Sequence, residues 1–178
     1  YKRQVLGSDL EVIQLAPLHT LPDVPVGSGP PRVQSVKVRS TTWSGDFVSL
    51  VDPIAKIGYA VPTGTAQSSP LPWENIDQVS ITFSDDVQIN LADIQLTGIT
   101  TSEYTVTEVN YDGGSRTATL TLNKPIEADR LQLVIADSVT NPSGEALDGE
   151  WPPQGSNFES GNGIAGDSFV FDFNVLPG

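Results

Sequence analysis

Apolar and polar residues alternate with a period of two through the C-terminal two-thirds of the chain. In the segment 78–83, Val79, Ile81 and Phe83 share one phase. Because successive side chains of a strand point to opposite faces, this pattern predicts strands with one buried and one solvated face. Strands are expected at 33–39, 78–83, 91–97, 104–111, 116–122, 129–136 and 168–175. About seven such strands with little helix predict an all-β protein, an immunoglobulin-like antiparallel β-sandwich.

Turn residues between these segments predict how the strands connect. Asp112-Gly113-Gly114-Ser115 separates two alternating segments, which predicts a hairpin whose glycines accept the positive φ of a tight connection. Tyr104 and Val106 have one phase whereas Val109 and Tyr111 have the opposite one. A change of phase within one strand predicts a bulge or a sheet crossing near Thr107 and Glu108.

Proline marks the parts of the chain that lie outside this pattern. Residues 1–32 contain five prolines, so we expect an N-terminal arm or linker and not a helix or a central strand. Residues 33–178 are expected to form the sandwich, with a long insertion at about 40–73. Within this insertion, the apolar run Phe47–Val51 is expected to pair as an edge strand.

Composition narrows the classes of partner. The 178 residues carry a net charge of −13 and include no Cys and no Met, so disulfides and thiolate metal sites are excluded. A chain without Met is expected to be a piece of a longer polypeptide. Residues 1–57 have a net charge of +1 and residues 58–178 one of −14, which disfavours nucleic acid and anionic membranes as partners. No apolar run approaches the ~18 to 20 residues that span a bilayer, so no membrane insertion is expected.

Several sequence runs resemble a known class of module. VSITFSDDV (79–87), LTG (96–98) and YTVTEVNYDGGSRTATLTLNKPIEADRLQLVIADSVTNPSGEALDGEW (104–151) are similar to bacterial immunoglobulin-like modules of S-layer and other large secreted proteins. FVFDFNVLPG (169–178) resembles the segment that precedes a dockerin-like repeat. The resemblance implies a secreted or cell-surface location and a structural or interaction module, whose partners are neighbouring domains or another protein.

Catalysis has little support in the sequence. The single histidine, His19, lies in the Pro-rich arm between Leu18 and Thr20, where a surface histidine is the ordinary explanation and a hydrolytic triad is not expected. One His and no Cys also exclude an ordinary zinc site. The resembling modules provide no catalytic residues. The chain is therefore expected not to be an enzyme and to need no organic cofactor.

Calcium is the one cofactor candidate, because hard cations bind several loop oxygens. The candidate ligands are Asp148, Glu150 and Asp167, with Asp85, Asp86 and Asp112 as further acidic loop residues. None has the spacing of a known calcium loop. Ordinary solvated loop acids are the alternative.

Carbohydrate binding is the alternative function. Trp43, Tyr59 and Trp73 lie in the irregular insertion, and sugars stack on exposed aromatic faces. A carbohydrate site predicts that at least two of these rings are exposed and roughly coplanar. The competing interpretation is an aromatic plug that closes one end of the sandwich, because large rings usually supply buried area.

Overall fold

The computed structural model describes residues 29–151 and 159–178. The strands are β1 (Val33–Arg39), β2 (Tyr59–Ala60), β3 (Gln78–Phe83), β4 (Ile94–Gly98), β5 (Val106–Asp112), β6 (Thr117–Leu122), β7 (Asp129–Ile135) and β8 (Phe169–Val175). One α-helix, α1 (Gly45–Val51), and two short 3₁₀ turns, Gly64–Ala66 and Leu91–Asp93, complete the elements. The seven strands expected from the alternating pattern are present, and β2 is an additional strand of two residues. Residues 1–28 of the expected arm lie outside the described residues.

The strands form two antiparallel sheets. The first has the order β2-β1-β3-β6-β5 and the second the order β4-β7-β8. Every pairing between named strands is antiparallel. These sheets confirm the predicted antiparallel sandwich.

The core lies between the two sheets and is filled by the apolar phase of each strand. Phe169, Phe171 and Phe173 of β8 are at most 1% exposed, and the rings of Phe169 and Phe171 are stacked with centroids 5.6 Å apart. Burying one such side chain stabilises the fold by about 1.5–3 kcal/mol. The opposite phase of the first sheet is polar, with Ser80 paired to Thr119 across β3 and β6 over 3.1 Å.

The predicted strand at Phe47–Val51 is wrong, because this run lies in helix α1. Ser44 has an extended backbone and its side chain accepts a hydrogen bond from Phe47 N–H, which caps the first turn. Asp46 stands in that turn, where a negative charge is favourable. Only Val48 of the helix is buried. A short apolar run fits either structure, and here the N-cap decides for the helix.

The predicted hairpin and bulge are both confirmed, with one correction. β5 pairs with β6, and the register shifts between Val106 and Glu108. The positive φ of the connection, however, falls on Arg116 at 53° and on neither glycine. Asp112 instead stabilises the turn, because its side chain accepts hydrogen bonds from Gly114 N–H and the Ser115 hydroxyl.

Candidate functional site

The chain enters β1 beside a network of hydrogen bonds that we name the entry pole: Pro31, Val33, Asp148 and Ser160. Val33 N–H donates to Ser160 Oγ over 2.8 Å, and Ser160 N–H donates to the Val33 carbonyl over 2.9 Å. The Ser160 hydroxyl donates to the Asp148 carbonyl over 2.7 Å. Asp148 N–H donates to the Pro31 carbonyl over 2.9 Å. Three segments that are distant in sequence are therefore joined where β1 begins.

The Asp148 carboxylate organises the loop that follows Ser160. Asp148 is fully buried, and its two carboxylate oxygens accept hydrogen bonds from Asn162 N–H over 3.0 Å and from Gly163 N–H over 2.7 Å. A buried charge is stable only when such donors replace water. The carboxylate therefore holds the 160–163 loop against β1.

The three predicted calcium ligands have neighbouring backbone segments, but their side chains do not converge on one point. Asp148 and Asp167 form an isolated parallel bridge, and the Glu150 carbonyl accepts a hydrogen bond from Gly161 N–H. The Glu150 and Asp167 side chains are exposed, whereas that of Asp148 is buried. Within residues 29–151 and 159–178, no group of three or more His, Cys, Asp or Glu side chains is arranged to hold a metal ion.

The other predicted acidic loop residues have local structural partners. Asp86 accepts a hydrogen bond from the Tyr111 hydroxyl over 2.9 Å, while Tyr111 itself accepts one from Val87 N–H. Burial, together with the nearby Asp86 carboxylate, raises the pKa of Tyr111 to about 12. The phenol therefore stays protonated and links β5 to the 85–87 loop.

A second buried carboxylate lies where β8 ends, in a region we name the exit pole: Leu71, Gly98, Asp129 and Val175. Asp129 pairs with Val175 across β7 and β8, and Leu71 forms a parallel bridge with Val175. The Asp129 carboxylate accepts hydrogen bonds from the N–H groups of Ile99, Thr100, Thr101 and Arg130 and from the Tyr104 hydroxyl, all at 2.8–3.1 Å. Burial pushes the pKa of Asp129 upward, but these donors outweigh burial and lower it below the ordinary 3.8.

A third carboxylate fixes the turn after α1. The Asp52 carboxylate accepts a hydrogen bond from the Lys37 ammonium over 2.7 Å and from Ile57 N–H over 2.9 Å. Burial pushes the pKa of Asp52 upward, but Lys37 and the backbone donors lower it overall. The 52–58 turn is thereby attached to β1.

The three aromatic residues of the insertion come together, but not as a binding platform. Trp73 lies 5.9 Å from Trp43 with an interplanar angle of 71°, and 5.1 Å from Tyr59 with an angle of 60°. Phe47 of α1 packs edge-on against both tryptophans. All of these rings are half-buried. The prediction of two exposed, coplanar rings is wrong, because these rings are half-buried and Trp73 is inclined by 71° to Trp43 and by 60° to Tyr59.

A surface pocket of about 490 Å³ lies close to the exit pole. It is lined by Glu74, Asn75, Lys124, Pro125, Ile126, Glu127, Ala128 and Pro177. The apolar residues that line this pocket lie beside the residues that follow β8.

Sequence reasoning missed the roles of Asp129 and Ser160. The Asp129 side chain bonds to backbone groups up to 30 residues away in sequence. The Ser160 side chain bonds to a backbone group 127 residues away. No local motif marks such partners. The Gly161-Asn162-Gly163 run was the one available signal, because glycines in a loop often permit a close approach.

Comparisons with protein-family models and with curated proteins find no match for this chain. Across the part of the chain that the structure describes, no helix has the length and apolar character needed to cross a membrane.

Proposed function

We propose that the chain is a non-catalytic structural module of the immunoglobulin-like type, which connects neighbouring domains of a larger secreted or cell-surface bacterial protein in line. One observation carries this proposal. The polypeptide enters β1 at one pole of the sandwich and leaves β8 at the opposite pole.

The strand registers establish the positions of the two poles. Val33, the first residue of β1, pairs with Phe83, whereas Arg39 at its other end pairs with Gln78. Gln78 in turn pairs with Thr121 near the end of β6.

From β6 the chain passes to the second sheet without leaving that end of the sandwich. Leu122 N–H donates to the Asp77 carbonyl and Ile126 N–H to the Ile76 carbonyl. Strand β7 then begins at Asp129, the partner of Val175. Val175 therefore lies at the Arg39 end of the sandwich, about 20 Å from Val33 along the strand direction.

This arrangement suits a module that bears tension. A force between the two poles runs parallel to β1 and β8. It therefore acts in shear on the hydrogen bonds between β1 and β3 and on those between β7 and β8, and each set must break together. The buried carboxylates of Asp148 and Asp129 attach loops to the ends at which the force would enter and leave. A surface of high negative charge additionally keeps such a module soluble beside its neighbours.

Small-angle X-ray scattering of one, two and three copies joined in series tests the in-line arrangement. We expect the maximum dimension to increase with each added copy by at least about 20 Å, the length of a seven-residue strand. A dimension that stays nearly constant from two copies to three would mean that the copies fold back on each other, and would refute the proposal.

Single-molecule unfolding tests the load path. The chain has no cysteine, so the double variant Glu108→Cys and Thr121→Cys provides a unique pair of handles on opposed residues of β5 and β6. Pulling on these handles separates one pair of bonds at a time. We expect a lower unfolding force for this pair than for the same protein held at its first and last residues. Equal forces in the two geometries would contradict the proposed role.

A further inference from the structure

The sheet edges of the described sandwich differ in how much of their backbone is already hydrogen-bonded. The β8 edge is covered by the 64–71 segment. Leu71 N–H donates to the Asn174 carbonyl over 2.8 Å, and Leu176 N–H donates to the Leu71 carbonyl over 2.9 Å. The Gln67 side-chain amide donates to the Asp172 carbonyl over 2.9 Å.

Two further edges offer little room. At β4, Tyr104 N–H donates to the Leu96 carbonyl and Gly98 N–H donates to the Thr101 carbonyl, so the 99–104 segment covers this edge. Strand β2 contains only Tyr59 and Ala60, which is too short to guide another strand.

Strand β5 is different, because the backbone groups on its outer side have no backbone hydrogen-bond partner among the described residues. Leu122 N–H bonds to the Asp77 carbonyl and the Arg116 carbonyl accepts from Phe83 N–H, so the even-numbered residues of β6 face β3. The odd-numbered residues Thr117, Thr119 and Thr121 consequently face β5.

The partners of those threonines are Asp112, Asn110 and Glu108, which leaves Val109 and Tyr111 with their N–H and C=O groups directed outward. Among the described residues, no backbone hydrogen bond from outside β6 reaches the 106–112 segment. Strand β5 thus presents two complete donor and acceptor pairs.

The charge around this edge is negative. Glu108 and Asp112 project from the outer face of the first sheet beside the open edge, and Asp86 lies against the Tyr111 hydroxyl. The nearby Arg116 guanidinium donates to the Ser84 carbonyl over 2.7 Å. A second copy of β5 would bring the same acids together, and like charges across strands are destabilising.

We propose that β5 binds an extended basic peptide, which adds a strand to the first sheet. Val109 and Tyr111 supply four backbone hydrogen bonds, a recognised mode of peptide binding. Alternate residues of the peptide are Lys or Arg and face Glu108 and Asp112, while the intervening residues are apolar and lie beside the half-buried Val109 and Tyr111 side chains. This interaction is independent of the in-line arrangement of the two poles.

Fluorescence anisotropy with a labelled Val-Lys-Val-Lys-Val-Lys peptide tests the proposal on the full chain. A peptide of the same composition in the order Lys-Lys-Lys-Val-Val-Val is the control for charge alone. We expect the alternating peptide to bind more tightly, and the affinity of both to fall as salt is raised.

Variants separate the backbone from the charge contribution. Val109→Pro removes one outward N–H, and we expect it to weaken binding of the alternating peptide by about tenfold, the loss of roughly one good hydrogen bond. Glu108→Lys reverses one charge and is expected to weaken binding by at least about tenfold. Glu103→Lys makes the same charge reversal in an exposed loop and is expected to have less than about a twofold effect. Thermal unfolding monitors whether each variant is folded.

Three results would overturn the inference. Equal affinities of the two peptides would mean that only net charge matters. An equal loss of affinity in Glu103→Lys and Glu108→Lys would mean that the β5 edge has no special role. Concentration-dependent dimerisation that Val109→Pro abolishes, without binding of the alternating peptide, would identify a second copy of the chain as the occupant.

Discussion

Gly161 lies directly against the carboxylate of Asp148, so that a Cβ at position 161 would overlap the carboxyl group. The backbone of Gly161 has a φ of 95°, in the region that favours glycine. Both features follow from one cause, because the loop must pass close over Asp148 for the next two N–H groups to reach its oxygens. Glycine is therefore required at position 161 by the nearby carboxylate as well as by the turn.

Gly161→Ala should destabilise the protein more than Gly163→Ala. Gly163 has nearly the same φ, 94°, but no atom lies within 4 Å of a Cβ built there. The two positions thus have matched φ values, and we attribute the difference between the variants to overlap with Asp148. We expect the free energy of unfolding of Gly161→Ala to be lower by a further ~1–3 kcal/mol, the usual effect of overpacking. Urea denaturation of both variants measures this difference. Equal losses of stability would show that the Asp148 side chain moves aside at no energetic cost.

Asp129 should make stability depend on pH in the acid range. Its folded pKa is depressed below the ordinary 3.8, so its stabilising contribution is complete above that value and is lost as the pH falls through the folded pKa. We expect the stability gap between the wild type and Asp129→Asn to be largest near neutral pH and to shrink below pH 3.8. Denaturation at a series of pH values measures the gap. Asp137→Asn, a change at an exposed position, is the control and should give a gap close to zero throughout.

The sequence predicted the strands well, because their signal is local. The boundaries of β1 and β3 match the alternating segments, and the phase change in β5 correctly located the bulge. Alternation reports burial on one face, which is the property that a two-sheet core selects. The helix at Gly45–Val51 was missed because five apolar-rich residues are compatible with both periods, and the deciding contact is a single cap from Ser44.

The poles were not predictable for a different reason. The sequence marked Asp148 only as a candidate calcium ligand and did not mark Asp129 at all. What distinguishes the two is the set of backbone N–H groups that the fold brings to each. Those donors belong to loops whose positions depend on the complete sandwich. The chain crosses from the first sheet to the second between β6 and β7, and this crossing places Val33 and Val175 at opposite ends. It likewise depends on topology and not on local pattern.

Removal of divalent cations should leave the protein's stability unchanged. Each carboxylate oxygen of Asp148 already accepts a backbone hydrogen bond, so a calcium ion at Asp148, Glu150 and Asp167 would compete with these bonds. We expect the Tm in excess EDTA and in millimolar calcium to agree within about 1 °C. A calcium-dependent rise in Tm that Asp167→Asn abolishes would instead establish the site that the sequence suggested.

Glycans should have no effect on the tryptophan fluorescence of the insertion. Trp43 and Trp73 are half-buried and their rings are inclined by 71°, so they form no flat, exposed platform on which a sugar could stack. We expect a broad panel of soluble polysaccharides to leave the emission maximum unchanged. A glycan-specific shift that is lost in Trp43→Ala would contradict this expectation and restore the carbohydrate-binding alternative.

Trp73 should be the residue on which the aromatic cluster depends. Its ring contacts Trp43, Phe47 and Tyr59, whereas its buried indole N–H has no hydrogen-bond partner among the described residues. Trp73→Ala removes the packing and should lower the free energy of unfolding by about 2–4 kcal/mol. Trp73→Phe keeps much of the ring contact and also removes the unpaired N–H, so it should lower stability by no more than about 1 kcal/mol. Urea denaturation distinguishes the two, and similar losses for both variants would mean that the indole itself, and not aromatic packing, stabilises this end of the sandwich.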